Sequence, residues 1–136
     1  MSQSFFDPID EVIDAFRRGE IVVMSDDESR ENEGDLICAA ELVTPESINF
    51  MIKHARGLVC VPMEESRLRA LGLSRMTPAH ASDKYHTAFM DSVDVRAGTT
   101  TGISATDRAA TVLALVDEQS GAQDFIKPGH LFPLKA

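Results

Sequence analysis

At 136 residues the chain is long enough for one domain, and a domain of that size buries about two thirds of the surface its unfolded form exposes. Hydrophobic residues make up 43% and charged residues 26%, a globular composition with no run of the ~20 apolar residues that a membrane helix needs. The net charge of -9, with 13 scattered Lys and Arg, argues against a nucleic-acid surface, and residues 1–6 lack the basic and hydrophobic regions of a secretion signal.

In chain order, the first helix is the clearest local feature. Asp7 is placed to cap it, Pro8 suits its first turn, Ile9, Val12, Ile13 and Phe16 share one face, and Gly19 ends it. Residues 21–24 read as a buried strand, 26–35 as a polar connection and 36–40 as a second strand. A second helix opens at Thr44 and Pro45, carries Ile48, Met51, Ile52 and Ala55 as its stripe, and closes at Gly57. A strand over 58–61 and a short helix over 64–71 follow.

Residues 72–87 contain His80, Lys84, Tyr85 and His86 and show no periodicity, as lids and binding loops do. The pattern predicts a strand over 89–95. Ser104 and Asp107 form a start like a capping box for a third long helix, with Ala109, Val112, Leu113 and Val116 as its buried stripe. A last strand is expected over 131–134. Alternating helices and short strands predict an α/β or α+β domain, with helices packed on a mixed sheet.

Cys38 and Cys60 each sit in an apolar run, without CxxC spacing or a nearby His pair. They read as reduced core thiols of a cytoplasmic protein rather than zinc ligands.

The segment from Asp26 to Asp35, DDESRENEGD, holds six carboxylates in ten residues between two apolar strands. Crowding so much negative charge is costly unless a cation neutralises it, and oxygen-only ligands favour Mg²⁺, Mn²⁺ or Ca²⁺. A calcium EF-hand fails on register: counted from Asp27, the glycine position holds Asn32 and the twelfth holds Cys38. The competing reading is a solvated acidic turn, which Arg30 among the acids and the flanking strands weaken.

Two further segments carry chemistry. Gly98 to Ser104 brings glycines, hydroxyls and backbone N–H groups to the start of a helix, a natural phosphate site, although, taken alone, a well-capped helix preceded by a polar turn is the better reading because this is no P-loop. Near the end, Pro128 and Gly129 precede His130, an imidazole suited to proton transfer near neutral pH or to a structural hydrogen bond. His54 falls near a helix end, where its charge suits the dipole.

Together, DDESRENEGD, TTTGISATDRA and PGHLFPL, in that order, resemble the signatures of the dihydroxybutanone phosphate synthase family. The resemblance implies a mixed α/β fold with 1–136 as a single, truncated domain. It also implies a cytoplasmic homodimer with sites near the subunit interface, and Mg²⁺ or Mn²⁺ as cofactor. The implied activity is a lyase of riboflavin biosynthesis that converts D-ribulose 5-phosphate into L-3,4-dihydroxy-2-butanone 4-phosphate and formate.

Residue by residue, the resemblance makes Glu31 the metal ligand, with Arg30, Asp35 and Thr101 on the sugar phosphate. Asp26, Glu28 and Glu33 become polar support or proton-transfer groups, and His130 the proton-transfer residue. Residues 76–87 correspond to the family's mobile active-site loop. Family members continue into a Gly-His-Thr-Glu segment that carries the second metal ligand; this sequence ends before it, and Met90, Asp91 and Ser92 depart from the usual strand residues. A non-catalytic paralogue or partner subunit that keeps the scaffold is therefore a second expectation, and a Mg²⁺-dependent phosphatase a third.

Overall fold

The computed structural model describes residues 5–76 and 84–136. Helix α1 (Ile9–Arg17) leads into a hairpin of β1 (Val22–Ser25) and β2 (Gly34–Ile37), paired antiparallel with Val22 opposite Ile37 and Ser25 opposite Gly34. Helix α2 (Pro45–His54), β3 (Cys60–Met63) and the short α3 (Glu65–Ala70) follow. Then come β4 (Val93–Val95), α4 (Ala105–Val116) and β5 (Phe125–Lys135).

The second sheet has the order β3-β5-β4. β5 runs parallel to β3, with Cys60 opposite Phe132, and antiparallel to β4, with Val93 opposite Leu131. Helix α4 packs on α2, β4 and β5, and the core closes on Ile48, Leu68, Val93, Leu115 and Leu131, all essentially inaccessible. The expected mixed sheet with packed helices is present.

Local chemistry explains where the elements start. Thr44 caps α2 by accepting from Ser47 N at 3.1 Å, while Thr44 N donates to Ser47 Oγ at 2.9 Å, and Pro45 fills the first helical position. At the far end of α4, Arg67 donates to the carbonyls of Leu115, Asp117 and Ser120, which have no partner within the helix.

Several expectations change. Pro8, not Asp7, is the N-cap of α1, and it supplies no side-chain hydrogen bond. The apolar face of α1 is only partly covered: no residue of the helix is buried, Val12 and Phe16 are half-buried, and Ile9 is 68% exposed. β1 is not a buried strand either, because the hairpin forms its own two-stranded sheet and leaves Val23 and Met24 open. β3 begins two residues later than expected.

The strand expected over 89–95 is broken. Asp91 leaves the ladder, its N donating to Ser74 O and its carboxylate accepting from Ser74 N and Lys127 Nζ, both at 3.0 Å. In α4, Leu113 faces outward and Leu115 takes the core position, because the buried face includes the polar Asp107 and Thr111. β5 extends over eleven residues rather than four. Among the described residues, no helix is long and apolar enough to cross a membrane.

Candidate active site

The acidic segment is the turn of the β1–β2 hairpin, and Asp26 organises it. Its carboxylate accepts from the backbone N of Glu33 and of Glu31, both at 2.9 Å, and from Arg30 Nη1 at 3.0 Å. The Glu33 and Glu31 amides, with Arg30, hold this carboxyl below the usual range. Asp27 caps the same turn by accepting from the amide and hydroxyl of Ser29.

Arg30 divides its guanidinium between Asp26 and Glu31, whose Oε1 lies 3.1 Å from Nη2. Its carbonyl accepts from Tyr85 Oη at 3.1 Å, and the guanidinium carbon stands 5.3 Å from the centre of that ring. The crowded acids are thus accommodated by Arg30, by amides and by solvent. Asp26 shapes the turn through these hydrogen bonds, in keeping with the polar-support alternative expected for it. Glu28, Glu33 and Asp35 lie exposed around it. Among the described residues, no three His, Cys, Asp or Glu side chains converge to hold an ion, so the cluster inferred from crowding does not form.

The threonine segment is a turn anchored from inside the helix it precedes. Ser104 caps α4 by accepting from Asp107 N at 3.0 Å. Instead of closing a capping box, Asp107 reaches back to the amides of Thr100 and Gly102 and to the Thr100 hydroxyl. The Thr100 hydroxyl is the leading cause of a carboxyl held below its ordinary range, with the two amides and Ser104 reinforcing it. Thr101, between the anchored residues, stays exposed.

His130 is fixed by a residue that sequence reasoning missed. Asp94, only 7% exposed, accepts from His130 N at 2.8 Å and lies 2.7 Å from His130 Nδ1. A carboxylate can only accept, so Nδ1 carries the proton and Nε2 is left for exchange. Two glycines make room for this pair. A Cβ on Gly129 would meet the Val93 carbonyl carbon at 2.0 Å, and one on Gly102 would meet Asp94 Oδ2 at 2.1 Å. The available signal was a carboxylate inside an apolar strand, which requires a buried partner.

Asp94 therefore holds His130 while packing against Gly102 of the threonine turn. Burial, then the charge of Asp35 on the hairpin, pushes up the Cys60 thiol, and Cys60 lies opposite Phe132, two residues along β5 from His130. A cleft of about 260 Å³ opens here, lined by Val59, Ile103, Arg108, Gly129, His130 and Phe132.

The remaining expected residues lie apart. His54 stacks on Phe50, with ring centres 4.4 Å apart. His86 holds a positive φ of 56°. His80 and much of the expected active-site loop fall outside the described residues. Both cysteines are free thiols, and burial raises each above its ordinary pKa, opposite to what a reactive thiolate needs.

Fold and site together define the class: an α/β domain with an imidazole–carboxylate pair beside a threonine turn, and an acid-rich hairpin turn. The chain belongs to the 3,4-dihydroxy-2-butanone 4-phosphate synthase family, whose profile matches residues 10–136. It is 55% identical over 128 residues to the 3,4-dihydroxy-2-butanone 4-phosphate synthase of Agrobacterium fabrum, covering 94% of this chain and 60% of that protein. Its identity to the enzyme of the same name from Candida albicans is 50% over 133 residues, covering 98% and 65%. A crystal structure of 3,4-dihydroxy-2-butanone 4-phosphate synthase in complex with two magnesium ions matches with a TM-score of 0.92 at 49% identity, over 96% of this chain and 61% of that one. The chain thus spans somewhat under two thirds of the length of these relatives. The resemblance carried by the three motifs holds over nearly the whole chain.

Proposed function

We propose that this chain is the larger part of a lyase that converts D-ribulose 5-phosphate into L-3,4-dihydroxy-2-butanone 4-phosphate and formate in riboflavin biosynthesis. The observation that carries the reading is the buried Asp94, which holds His130 and packs against Gly102, the neighbour of Thr101.

In this reading, His130 Nε2 takes a proton from the carbon beside the substrate carbonyl and returns protons later. Asp94 holds the imidazole in the required tautomer and stabilises its charged form, as in other His–carboxylate pairs. Thr101 receives the phosphate, and Arg30 and Asp35 hold substrate hydroxyls. Glu28 and Glu33 provide outer polar support.

Glu31 suits a hard divalent cation. It is an oxygen ligand, partly exposed, on a turn that Asp26 keeps in shape, and magnesium commonly takes one or two carboxylates plus substrate oxygens and water. Magnesium or manganese, bound through Glu31, would supply Lewis-acid stabilisation of negative charge on substrate oxygens. A cytoplasmic homodimer is part of the same proposal; the uncovered apolar residues Phe6, Ile9, Ile13, Val23 and Met24 support a partner surface on this side.

The test is direct. The chain, extended with the C-terminal part of the Agrobacterium fabrum relative, should release formate from ribulose 5-phosphate when magnesium is added. A folded chimera that releases none overturns the proposal, and release of inorganic phosphate instead would favour a phosphatase. A second reading, a scaffold without chemistry, draws on the Glu31 carboxylate being paired with Arg30; it requires the chimera to remain inactive.

A further inference from the structure

The register of β4 and β5 shifts between the pairs Val93–Leu131 and Asp94–Ile126, and Lys127, Pro128, Gly129 and His130 bow out of the ladder there. A bulge can re-aim a side chain, but it gives up the cross-strand backbone bonds that would hold that side chain still. Here side chains from the opposite segment take their place. Ser92 Oγ accepts from Gly129 N at 3.2 Å, and Asp94 accepts from His130 N at 2.8 Å. Ser92 is only 7% exposed, so solvent is poorly placed to replace its hydroxyl.

The start of the bulge is held at a third point. Lys127 Nζ donates to Asp91 Oδ2 at 3.0 Å and to the carbonyl of Gly72, while the same carboxylate oxygen accepts from Ser74 N at 3.0 Å. Gly72 and Ser74 alternate with the buried Leu71 and Leu73, so Lys127 is moored to a turn fixed in the core. A partly exposed ion pair of this kind contributes little to stability. Its effect is geometric: it fixes the backbone where the bulge begins, whereas Asp94 acts only at residue 130 itself. Misplacing a reacting group by ~1 Å can cost ~10²-fold in rate.

We infer that Ser92 and the Asp91–Lys127 pair are positioning residues for His130, holding the bulge so that Nε2 keeps one direction. The inference rests on the lyase reading above for the proton transfer that His130 performs, and it adds the side chains that aim the imidazole.

The test reads direction and rate separately. In the ¹⁵N-labelled chain, in mildly alkaline buffer, the His130 ring nitrogens should report the Nδ1–H tautomer alone. Ser92→Ala and Lys127→Met should each give a mixture of tautomers, with the amide signals of Ile48 and Leu115 in the core unchanged. In the chimera the same changes should lower kcat for formate release by about tenfold or more, with KM for ribulose 5-phosphate moved by less than about threefold. Lys127→Arg, which keeps a charged donor, should retain both the single tautomer and most of the rate. A single tautomer with unchanged kcat in both Ser92→Ala and Lys127→Met overturns the inference. So does a loss of rate accompanied by shifted core signals, which would make these side chains structural. Failure of the lyase reading is distinct: the wild-type chimera would release no formate, while the tautomer measurement would still decide whether Ser92 and Lys127 aim His130.

Discussion

Asp94 holds His130 at two points, its Oδ1 on the backbone N at 2.8 Å and its Oδ2 beside Nδ1 at 2.7 Å. One buried carboxylate thus fixes both the strand register at residue 130 and the direction of the imidazole. The pair follows from the β4–β5 packing that Gly129 permits.

Asp94→Asn keeps the shape but places an amide, able to donate, where His130 Nδ1 needs an acceptor. In the chimera, formate release should fall by ~10²-fold or more in kcat, with KM for ribulose 5-phosphate changed much less. Unchanged kcat would show that Asp94 only supports the strand.

Gly129→Ala places a methyl group where the Val93 carbonyl carbon stands 2.0 Å away. Backbone cannot yield as a flexible side chain does, so β4 and β5 must separate. A loss of about 3 kcal/mol or more is expected in urea unfolding, or failure to fold.

Arg67→Ala removes three charge-assisted hydrogen bonds to carbonyls in the last turn of α4 and just beyond it. Some of these carbonyls regain water, so the loss should be about 2–3 kcal/mol rather than the full sum. Denaturant melts should show it, and phosphate binding at the other end of α4 should persist.

Glu31→Ala should abolish formate release by the chimera yet shift the melting temperature by less than about 4 °C, because its pair with Arg30 is exposed. A large destabilisation would assign Glu31 to holding the turn instead.

Acid should weaken the threonine turn and the hairpin turn together. Asp107 and Asp26 are both held below their ordinary pKa in the folded chain, by the Thr100 hydroxyl and by the Glu33 and Glu31 amides respectively. A depressed folded value means the stabilisation is complete above the unfolded value and disappears as pH falls towards the folded one. Melting temperature should therefore decline below about pH 4, and Asp107→Asn should flatten that decline while lowering stability near neutrality.

The sequence was most legible where a residue's role is local. Thr44 and Pro45 mark the start of α2, and Ser104 that of α4, because caps act within one turn. The fold class followed from alternation of helices and strands. Burial was less legible: β1 and α1 carry apolar faces that the rest of the described chain covers only in part. The stripe of α4 was misjudged because Asp107 and Thr111, polar by type, are buried by satisfying Thr100, Gly102 and Val95. The site motifs were visible as segments, but Asp94 was not among them. Its role depends on a pairing with a residue 36 positions away, which no local pattern records.

β5 occupies the middle of its sheet although it follows both of its neighbours in sequence. As the chain leaves the ribosome, β3 and β4 emerge without the neighbour each must pair with. His130 and Asp94 cannot meet until β5 inserts between β3 and β4. The His130–Asp94 pair and this sheet therefore arise in the same event, closing a loop of some 70 residues between Cys60 and Phe132. Until then, the edges of both strands are open to pairing with other nascent chains.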